Sequence, residues 1–195
     1  MVEIDADTLD PSFFRSSPLT LSILRQHVLA IVRAAIVGAG PQLLVKSALA
    51  DGVLSRVPHD AKLTVIAAGK ASSAMASAFV SEFGQPVRGL IASPQVGERV
   101  DGMEWFNVGH PTPTAGSVDA GLRALQLAAE VAEGDILVVL LSGGASAGLT
   151  VPVEGVSLDD KVCVTRLLLE NGISIDGLNC VRKHLSAIKG GRLAI

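Results

Sequence analysis

The stretch Asp135–Ser146, which reads DILVVLLSGGAS, decides the predicted fold. Its six consecutive apolar residues, 136–141, predict a strand that is buried on both faces, as in a parallel sheet. The glycine pair and the hydroxyl side chains that follow predict a turn whose main-chain N–H groups can approach a phosphate closely. The residues of this turn are Ser142, Gly143, Gly144 and Ser146. An ordinary strand-to-helix turn also uses glycine, and this alternative stays open.

The composition of the whole chain fits an α/β protein. Hydrophobic residues make up 49% of the 195 residues and charged residues only 18%, which is too apolar for a disordered chain. The 20 glycines accompany a content of alanine, valine, leucine and isoleucine that suits parallel strands covered by small-residue helices. The net charge of −3 offers no basic excess to displace phosphate counterions, and an aromatic share of 3% is too small for base stacking. We therefore expect no nucleic-acid partner.

Apolar segments alternate with helix-like segments along the chain, a pattern typical of strands that are connected by crossover helices. Strands are predicted at 63–67, 87–92, 105–108 and 135–141. Helices are predicted at 19–37, 42–54, 71–83 and 115–131, then from Ser157 to Asn171 and from Asp176 to Gly190–Gly191. Asp160, which stands three residues after Ser157, indicates a capping box at the start of its helix.

Three features of the sequence bear on the compartment. The helix predicted at 19–37 is the most apolar long segment, but two arginines and a histidine interrupt it, so we interpret it as an amphipathic helix and expect no membrane partner. Acidic residues stand near the N-terminus, at 3, 5 and 7, where a secretory signal would carry basic ones. Cys163 and Cys180 show no CxxC spacing and nothing demands a disulfide between them, so we expect a reduced, cytoplasmic protein.

Several common catalytic patterns are missing from the sequence. The four histidines show no paired metal-ligand spacing, which argues against a zinc site. The chain has no GxSxG elbow, and no pair of carboxylates stands out for glycoside hydrolysis. The sequence alone therefore does not single out a ligand for Mg²⁺.

The strand predicted at 63–67 delivers Lys70 to the first turn of the next helix. Ligands of open α/β sheets bind beyond the carboxyl ends of the strands, and helix N-terminal amides together with an ammonium group favour an anion there. This stretch is not a P-loop, because Thr64 and Ala71 stand where that motif needs Gly and Ser or Thr. A solvated lysine at the end of a strand is the alternative interpretation.

His110 lies in the segment Gly109-His110-Pro111, at the end of a predicted strand. Proline disfavours the helical region for the residue before it, so His110 is expected in a rigid, extended loop. An imidazole held there can donate to a hydroxyl or carboxylate of a substrate. A connection stiffened by proline, with an incidental histidine, is the simpler alternative.

The segment 179–192 reads NCVRKHLSAIKGGR and concentrates positive charge in a net-acidic protein. If this segment is helical, Arg182, Ser186 and Lys189 fall at i, i+4 and i+7 and share one face. Such a face could hold an anionic ligand. A solvated, charged helix surface is again the alternative.

Together, the four segments around Lys70, His110, Ser142–Ser146 and 179–192 resemble the glycerate 2-kinase family, some members of which are labelled hydroxypyruvate reductase. The resemblance implies a three-layer α/β/α, Rossmann-like N-terminal domain with a mostly parallel sheet, followed by a smaller C-terminal domain. It implies transfer of the γ-phosphoryl group of ATP, with Mg²⁺, to the 2-hydroxyl of D-glycerate, which gives 2-phosphoglycerate. Family habit suggests a homodimer.

The resemblance also implies roles for particular residues. Lys70 matches the lysine that stabilises the transferring phosphoryl group, and the glycine-rich turn at 142–146 matches a loop that binds nucleotide or substrate phosphate. His110, Arg182 and Lys183 fall within matching motifs, which place them among the substrate- and nucleotide-binding residues without individual roles.

Members of this family are considerably longer than 195 residues, so we expect 1–195 to be part of the N-terminal domain, with the C-terminal domain absent. Such a chain is expected to be inactive by itself. Two other interpretations stay open. One is an NAD(P)H-dependent hydroxypyruvate reductase, against which the lack of a GxGxxG fingerprint counts. The other is a truncated module that binds a partner without catalysis.

Overall fold

The structure is a computed structural model that describes residues 20–55, 57–58 and 60–194. The acidic residues at 3, 5 and 7, the predicted helix start at residue 19 and Ile195 lie outside the described residues. The elements are α1 (Leu21–Gly38), α2 (Pro41–Ala50), β1 (Leu63–Ala68), α3 (Ser72–Phe83), β2 (Val87–Ser93), β3 (Met103–Asn107), α4 (Ala115–Ala129), β4 (Ile136–Leu141), α5 (Ala145–Gly148), α6 (Leu158–Glu170) and α7 (Ile175–His184). A short 3-10 helix, Arg192–Ala194, follows them.

The chain divides into two compact units at Gly40. The first unit contributes one described helix, α1, in which no residue is buried. By length and composition alone, α1 is apolar enough to cross a membrane, a test that signal sequences and core helices of soluble proteins also pass. The second unit, Pro41–Ile195, contains the sheet and all the candidate site residues.

Four parallel strands form the sheet of the second unit, in the order β3-β2-β1-β4. Helices α2 and α3 cover one face of this sheet and α4 covers the other. The predicted three-layer α/β/α architecture with a parallel sheet is therefore confirmed. The register places Leu63 of β1 opposite both Val87 and Ile136, so the strands on either side of β1 begin level with it.

The two faces of β1 belong to different parts of the core. Val65 packs with Phe79 of α3 in one cluster, whereas Ile66 packs with Leu127 of α4 in the other. All six residues of β1 are buried, because successive side chains of a strand point to opposite faces and both faces are covered. Small residues let the helices approach closely, as at Ala76, which is fully buried.

The order of the strands fixes where a ligand can bind. The chain runs from β1 outward to β2 and β3, and then returns through α4 to β4 on the other side of β1. After β1 the chain enters α3 on one face, and after β4 it enters α5, whose Ala145 packs on the opposite face. A crevice opens at the carboxyl ends of two such strands, and open α/β sheets bind their ligands there.

The sequence-based expectation that β4 is buried on both faces is wrong. Val139 is 39% exposed and Leu141 is 60% exposed. Within the described part of the chain, β4 pairs with β1 alone and forms an edge of the sheet. An apolar run predicts that a strand is there, but its position in the sheet depends on which other strands pair with it.

The helix predicted from Asp176 to Gly190–Gly191 ends much earlier, at His184. Ser186 forms a bridge with Pro152, and Ala187 N–H donates to Val151 O at 2.8 Å, so this segment pairs like a strand. Arg182, Ser186 and Lys189 consequently do not share a helical face, and that prediction is wrong. A tertiary hydrogen-bonding partner competed with helix continuation, which the local sequence does not reveal.

The other predicted elements exist and differ from the structure by a few residues at their ends. The capping box at α6 is confirmed, since Ser157 Oγ accepts from Asp160 N–H at 3.0 Å and Asp160 accepts in return from Ser157 N–H at 2.9 Å. The hydroxyl and main-chain bonds from Ser157 lower the pKa of Asp160. Asn171 ends this helix as predicted, with Gly172 next at a φ of 67°.

Candidate functional site

The turn after β1 and the turn after β4 are joined by hydrogen bonds at the crevice. Lys70 N–H donates to Gly143 O at 2.8 Å, and Ala71 N–H donates to Ser142 Oγ at 3.0 Å. Gly69 adopts a φ of +112°, and a Cβ there would collide with Ser142, so no other residue fits without a shift. Two segments that are more than 70 residues apart in sequence therefore form one rigid unit, which we call the crevice junction (Gly69–Ala71 with Ser142–Gly144).

The main chain of Lys70 is held by the hydrogen bond to Gly143 O, whereas its side chain is exposed. Among the described residues its ammonium group forms no salt bridge. The side chain lines a pocket of about 290 Å³ together with Ser73, Ser93 and Glu98. A cation at the start of α3, beyond the end of β1, suits a ligand with negative charge.

The two serines of the glycine-rich loop have different surroundings. Ser142 Oγ accepts from Ala71 N–H and donates to Ala68 O at 3.3 Å, so its hydroxyl is used within the crevice junction. Ser146 is exposed and lines two neighbouring pockets. The N–H groups of Gly143 and Gly144 donate to no main-chain acceptor within the described residues, which leaves them available to a ligand.

His110 lies beside this loop. A Cβ placed on Gly144 would come 3.5 Å from His110 Cδ2, so the imidazole is in contact distance of the loop. The side chain of His110 is exposed, and its bond to Pro111 is a cis peptide. The structure therefore brings the predicted histidine to the glycine-rich loop.

Arg182 lies in a different pocket, of about 260 Å³, between the segment 111–113 and helices α5, α6 and α7. Lys161 of α6 and Lys189 also line it, and we call it the cationic pocket (Lys161, Arg182 and Lys189). Sequence reasoning missed Lys161, because a single lysine in the first turn of a helix carries no pattern. Its burial, at 7% exposure, is visible only in the tertiary structure.

Burial lowers the pKa of all three cations of this pocket, and neighbouring positive charges add to the effect for the two lysines. Burial, with the positive charges of Lys161 and Arg182, lowers the pKa of Lys189 to about 7. Burial and the charge of Arg182 lower the pKa of Lys161, and burial lowers the pKa of Arg182. No carboxylate of the described residues forms a salt bridge with any of the three.

Lys183 does not line the cationic pocket. Its side chain is exposed and lies by a neighbouring surface depression with His184, Gly190 and Arg192, which Lys189 also lines. Of the two adjacent residues that the sequence resemblance selected, Arg182 and Lys183, only the first lines the cationic pocket, because neighbouring positions of α7 point in different directions.

A family model described as a domain of unknown function, DUF4147, matches residues 27–195. This chain belongs to that family. The resemblance to glycerate 2-kinases is also confirmed, since a D-glycerate 2-kinase of Thermotoga maritima is 36% identical over 174 residues. That match covers 88% of this chain and 40% of the relative.

Two further proteins are similar to the DUF4147 chain over most of its length. A crystal structure of a glycerate kinase from Thermotoga maritima matches it with a TM-score of 0.77 and 33% identity, over 88% of this chain and 41% of the other. A protein of Agrobacterium vitis with the provisional name hydroxypyruvate reductase is 37% identical over 135 residues, 68% of this chain and 35% of its own. The chain thus spans less than half the length of these relatives.

Binding of a metal ion by protein side chains alone requires several His, Cys, Asp or Glu residues close together. Across residues 20–55, 57–58 and 60–194, no three His, Cys, Asp or Glu side chains lie close enough together to hold a metal ion. Mg²⁺ is usually held by one or two carboxylates together with phosphate oxygens and water, so this result concerns metals that are bound by protein side chains alone. The cysteines Cys163 and Cys180 are both exposed free thiols.

Proposed function

We propose that this chain supplies one wall of a cytoplasmic glycerate 2-kinase active site, which transfers the γ-phosphoryl group of ATP to the 2-hydroxyl of D-glycerate. The observation that carries the proposal is the crevice junction. It ties the Lys70 turn to the glycine-rich loop at the point of the sheet where α/β proteins bind ligands. The glycerate kinases among its relatives supply the reaction class.

The main chain of the glycine-rich loop binds the phosphates in this proposal. The N–H groups of Gly143 and Gly144 are without main-chain acceptors in the described structure, so in this proposal they donate to phosphate oxygens at the end of β4. Successive N–H groups in such a turn form an anion-binding concavity. The bonds between Ser142 and the Lys70 turn hold this concavity in place before the ligand arrives.

Lys70 stabilises the charge of the phosphoryl group during transfer. Phosphoryl transfer depends mainly on positioning and on stabilising the charge that spreads over the transferring oxygens. The ammonium group of Lys70 has no salt-bridge partner in the described structure, so its charge is available for this purpose. His110, which lies beside Gly144, forms a hydrogen bond with the acceptor hydroxyl in this proposal. No step is assigned to Mg²⁺, which would enter bound to the phosphates of ATP and neutralise part of their charge.

The experiment replaces Lys70 by alanine in the complete natural polypeptide that carries this sequence. Formation of 2-phosphoglycerate from ATP and D-glycerate is measured, and we expect kcat to fall by about 10³-fold, as when a charge-stabilising cation is lost in other phosphoryl-transfer sites. The matched control is Lys62→Ala. Lys62 is exposed and precedes β1, whereas Lys70 follows it, so this variant should keep kcat within about twofold.

A Lys70→Ala enzyme with kcat within twofold of the control would contradict the role of Lys70. The reductase alternative, which the name of the Agrobacterium vitis relative raises, is tested by NADH oxidation with hydroxypyruvate, and we expect none. The intact mass of the native polypeptide is measured first. A mass near 20.0 kDa would favour a binding module over a kinase, because one wall of a cleft binds its ligands weakly.

A further inference from the structure

Four positive side chains line the cationic pocket, and all but Arg166 lack a carboxylate partner among the described residues. Glu170 lines the same pocket, but it pairs with Arg166 at 3.8 Å, one turn earlier on α6. Lys161, Arg182 and Lys189 form no salt bridge in the part of the chain that the structure describes. Charges that are half-buried or buried in proteins are ordinarily paired, so this arrangement calls for an anion.

Main-chain carbonyls hold the two lysines in position. Lys161 Nζ donates to Leu185 O at 3.0 Å, and Lys189 Nζ donates to Leu149 O at 2.6 Å. An ammonium group has three N–H donors, so each lysine keeps two for a ligand. The carbonyls that orient these lysines carry no net charge, and the positive charge of the pocket is therefore not neutralised.

The position of the pocket connects it to the candidate site. Ser146 of the glycine-rich loop lines the pocket, and so do Pro111 and Thr112, which directly follow His110. A volume of about 260 Å³ exceeds what a single carboxylate or phosphate group fills. Apolar side chains, Pro113, Val162 and Leu169, form part of the remaining wall. The space suits a small molecule with a charged end.

We infer that the cationic pocket binds the oxyanion group of a small-molecule ligand, a carboxylate or a phosphate, on Lys161, Arg182 and Lys189. The bound oxyanion relieves the repulsion among the three cations and occupies the donors that the lysines keep. Charge-assisted hydrogen bonds to a preoriented site are the strong ones. The inference concerns binding alone and holds whether or not Lys70 takes part in phosphoryl transfer.

The test uses inorganic sulfate as the probe, in isothermal titration of the complete natural polypeptide at pH 6.5. Two variants remove charge from the pocket: Arg182→Met, and Lys189→Gln, which keeps an amide donor for Leu149 O. We expect each to weaken sulfate binding by about tenfold or more, the loss expected for one charge-assisted hydrogen bond. Thermal melting of each variant checks that it folds.

The control variant Lys62→Met, which removes an exposed lysine at the other end of β1, should bind sulfate as the unmodified protein does. Lys70→Ala removes the cation of the proposed kinase site and separates the two proposals. If Lys70→Ala abolishes kinase activity but keeps sulfate binding, the two proposals are separated. If Lys70→Ala has no effect on activity while Arg182→Met loses sulfate, the kinase role of Lys70 fails and the oxyanion site stands.

Competition identifies the source of the oxyanion. Displacement of sulfate by D-glycerate assigns the pocket to the carboxylate of the acceptor, and displacement by ADP assigns it to the phosphates of the nucleotide. Sulfate that does not bind saturably, or that binds the folded Arg182→Met and Lys189→Gln variants as tightly as the unmodified protein, overturns the inference.

Discussion

Lys70 and Lys189 show two ways in which this molecule presents a positive charge. At the crevice junction the main chain is tightly bonded and the lysine side chain is exposed, so its ammonium group can follow a ligand that moves. In the cationic pocket the two lysine side chains are themselves held by hydrogen bonds, with Lys189 Nζ bonded to Leu149 O and close to two other cations. The first arrangement suits a group that acts during a reaction, and the second suits a group that holds part of a ligand throughout.

The largest expected effect comes from a substitution that disrupts the crevice junction. Gly69→Ala combines a strained φ of +112° with a collision against Ser142, so the free energy of unfolding should fall by about 3 kcal/mol or more. The matched control is Gly134→Ala. Gly134 has a similar φ of +89° but no atom within 4 Å of the added Cβ, and it should lose only about 1 kcal/mol. Urea unfolding measures both, and equal losses would show that the close approach to Ser142 is unimportant.

A smaller effect is expected when the pH changes the charge of the cationic pocket and with it the affinity for sulfate. The pKa of Lys189 is lowered to about 7, so sulfate affinity should be highest below that pH and decrease as the pH rises through it. The other titratable groups lining the pocket are Lys161, Arg166, Glu170 and Arg182. We expect a loss of sulfate affinity of roughly tenfold between about pH 6 and pH 8.5. Because sulfate keeps its charge over this range, the loss reflects deprotonation of the protein.

Lys189→Arg provides the control for this pH dependence. The guanidinium group stays protonated throughout, so sulfate affinity should vary much less with pH in the variant. The free energy of unfolding gives a second readout. A folded-state pKa near 7 lies below the usual lysine value of 10.5, so the unfolded chain binds more protons between these pH values and stability should increase with pH there. A flat affinity profile in the unmodified protein would contradict the assignment.

The smallest expected effect separates the two serines of the glycine-rich loop. Ser142→Ala removes the acceptor of Ala71 N–H and should lower the free energy of unfolding by about 1 kcal/mol. Ser146→Ala changes an exposed side chain and should leave stability within about 0.5 kcal/mol, while it reduces kinase activity. The reverse pattern, with Ser146 important for folding and Ser142 only for activity, would show that we have exchanged their roles.

Sequence reasoning succeeded where the physical signal is local. The apolar runs at β1 and β4, the Ser157–Asp160 capping box and the Asn171–Gly172 helix end depend on residues within a few positions of one another, and all were predicted. It failed where contacts with residues that are distant in sequence determine the structure. The end of α7 depends on pairing of the segment after it with Val151 and Pro152, and the exposure of β4 depends on its place at an edge.

The same distinction between local patterns and distant contacts applies to the candidate site. Its motifs around Lys70, Ser142–Ser146 and His110 were found in the sequence, because glycine, proline and lysine at strand ends form recognisable patterns. Sequence patterns did not show that Ser142 bonds to the Lys70 turn, or that Ser146 faces a pocket instead. They also gave no reason to group Lys161 with Arg182, which lies on a different helix.

By itself, then, the sequence determined the fold class, most of the elements and the family, and it selected the segments that are proposed to carry chemistry, since each follows from periodicity, turn preference or a short motif. The tertiary structure decided which of those segments meet. Strand order brings the turns after β1 and β4 together, and the early end of α7 turns Lys189 back toward Lys161 and Arg182. The physical reason is that contacts between distant segments depend on how whole elements pack, whereas a local pattern depends only on its neighbours.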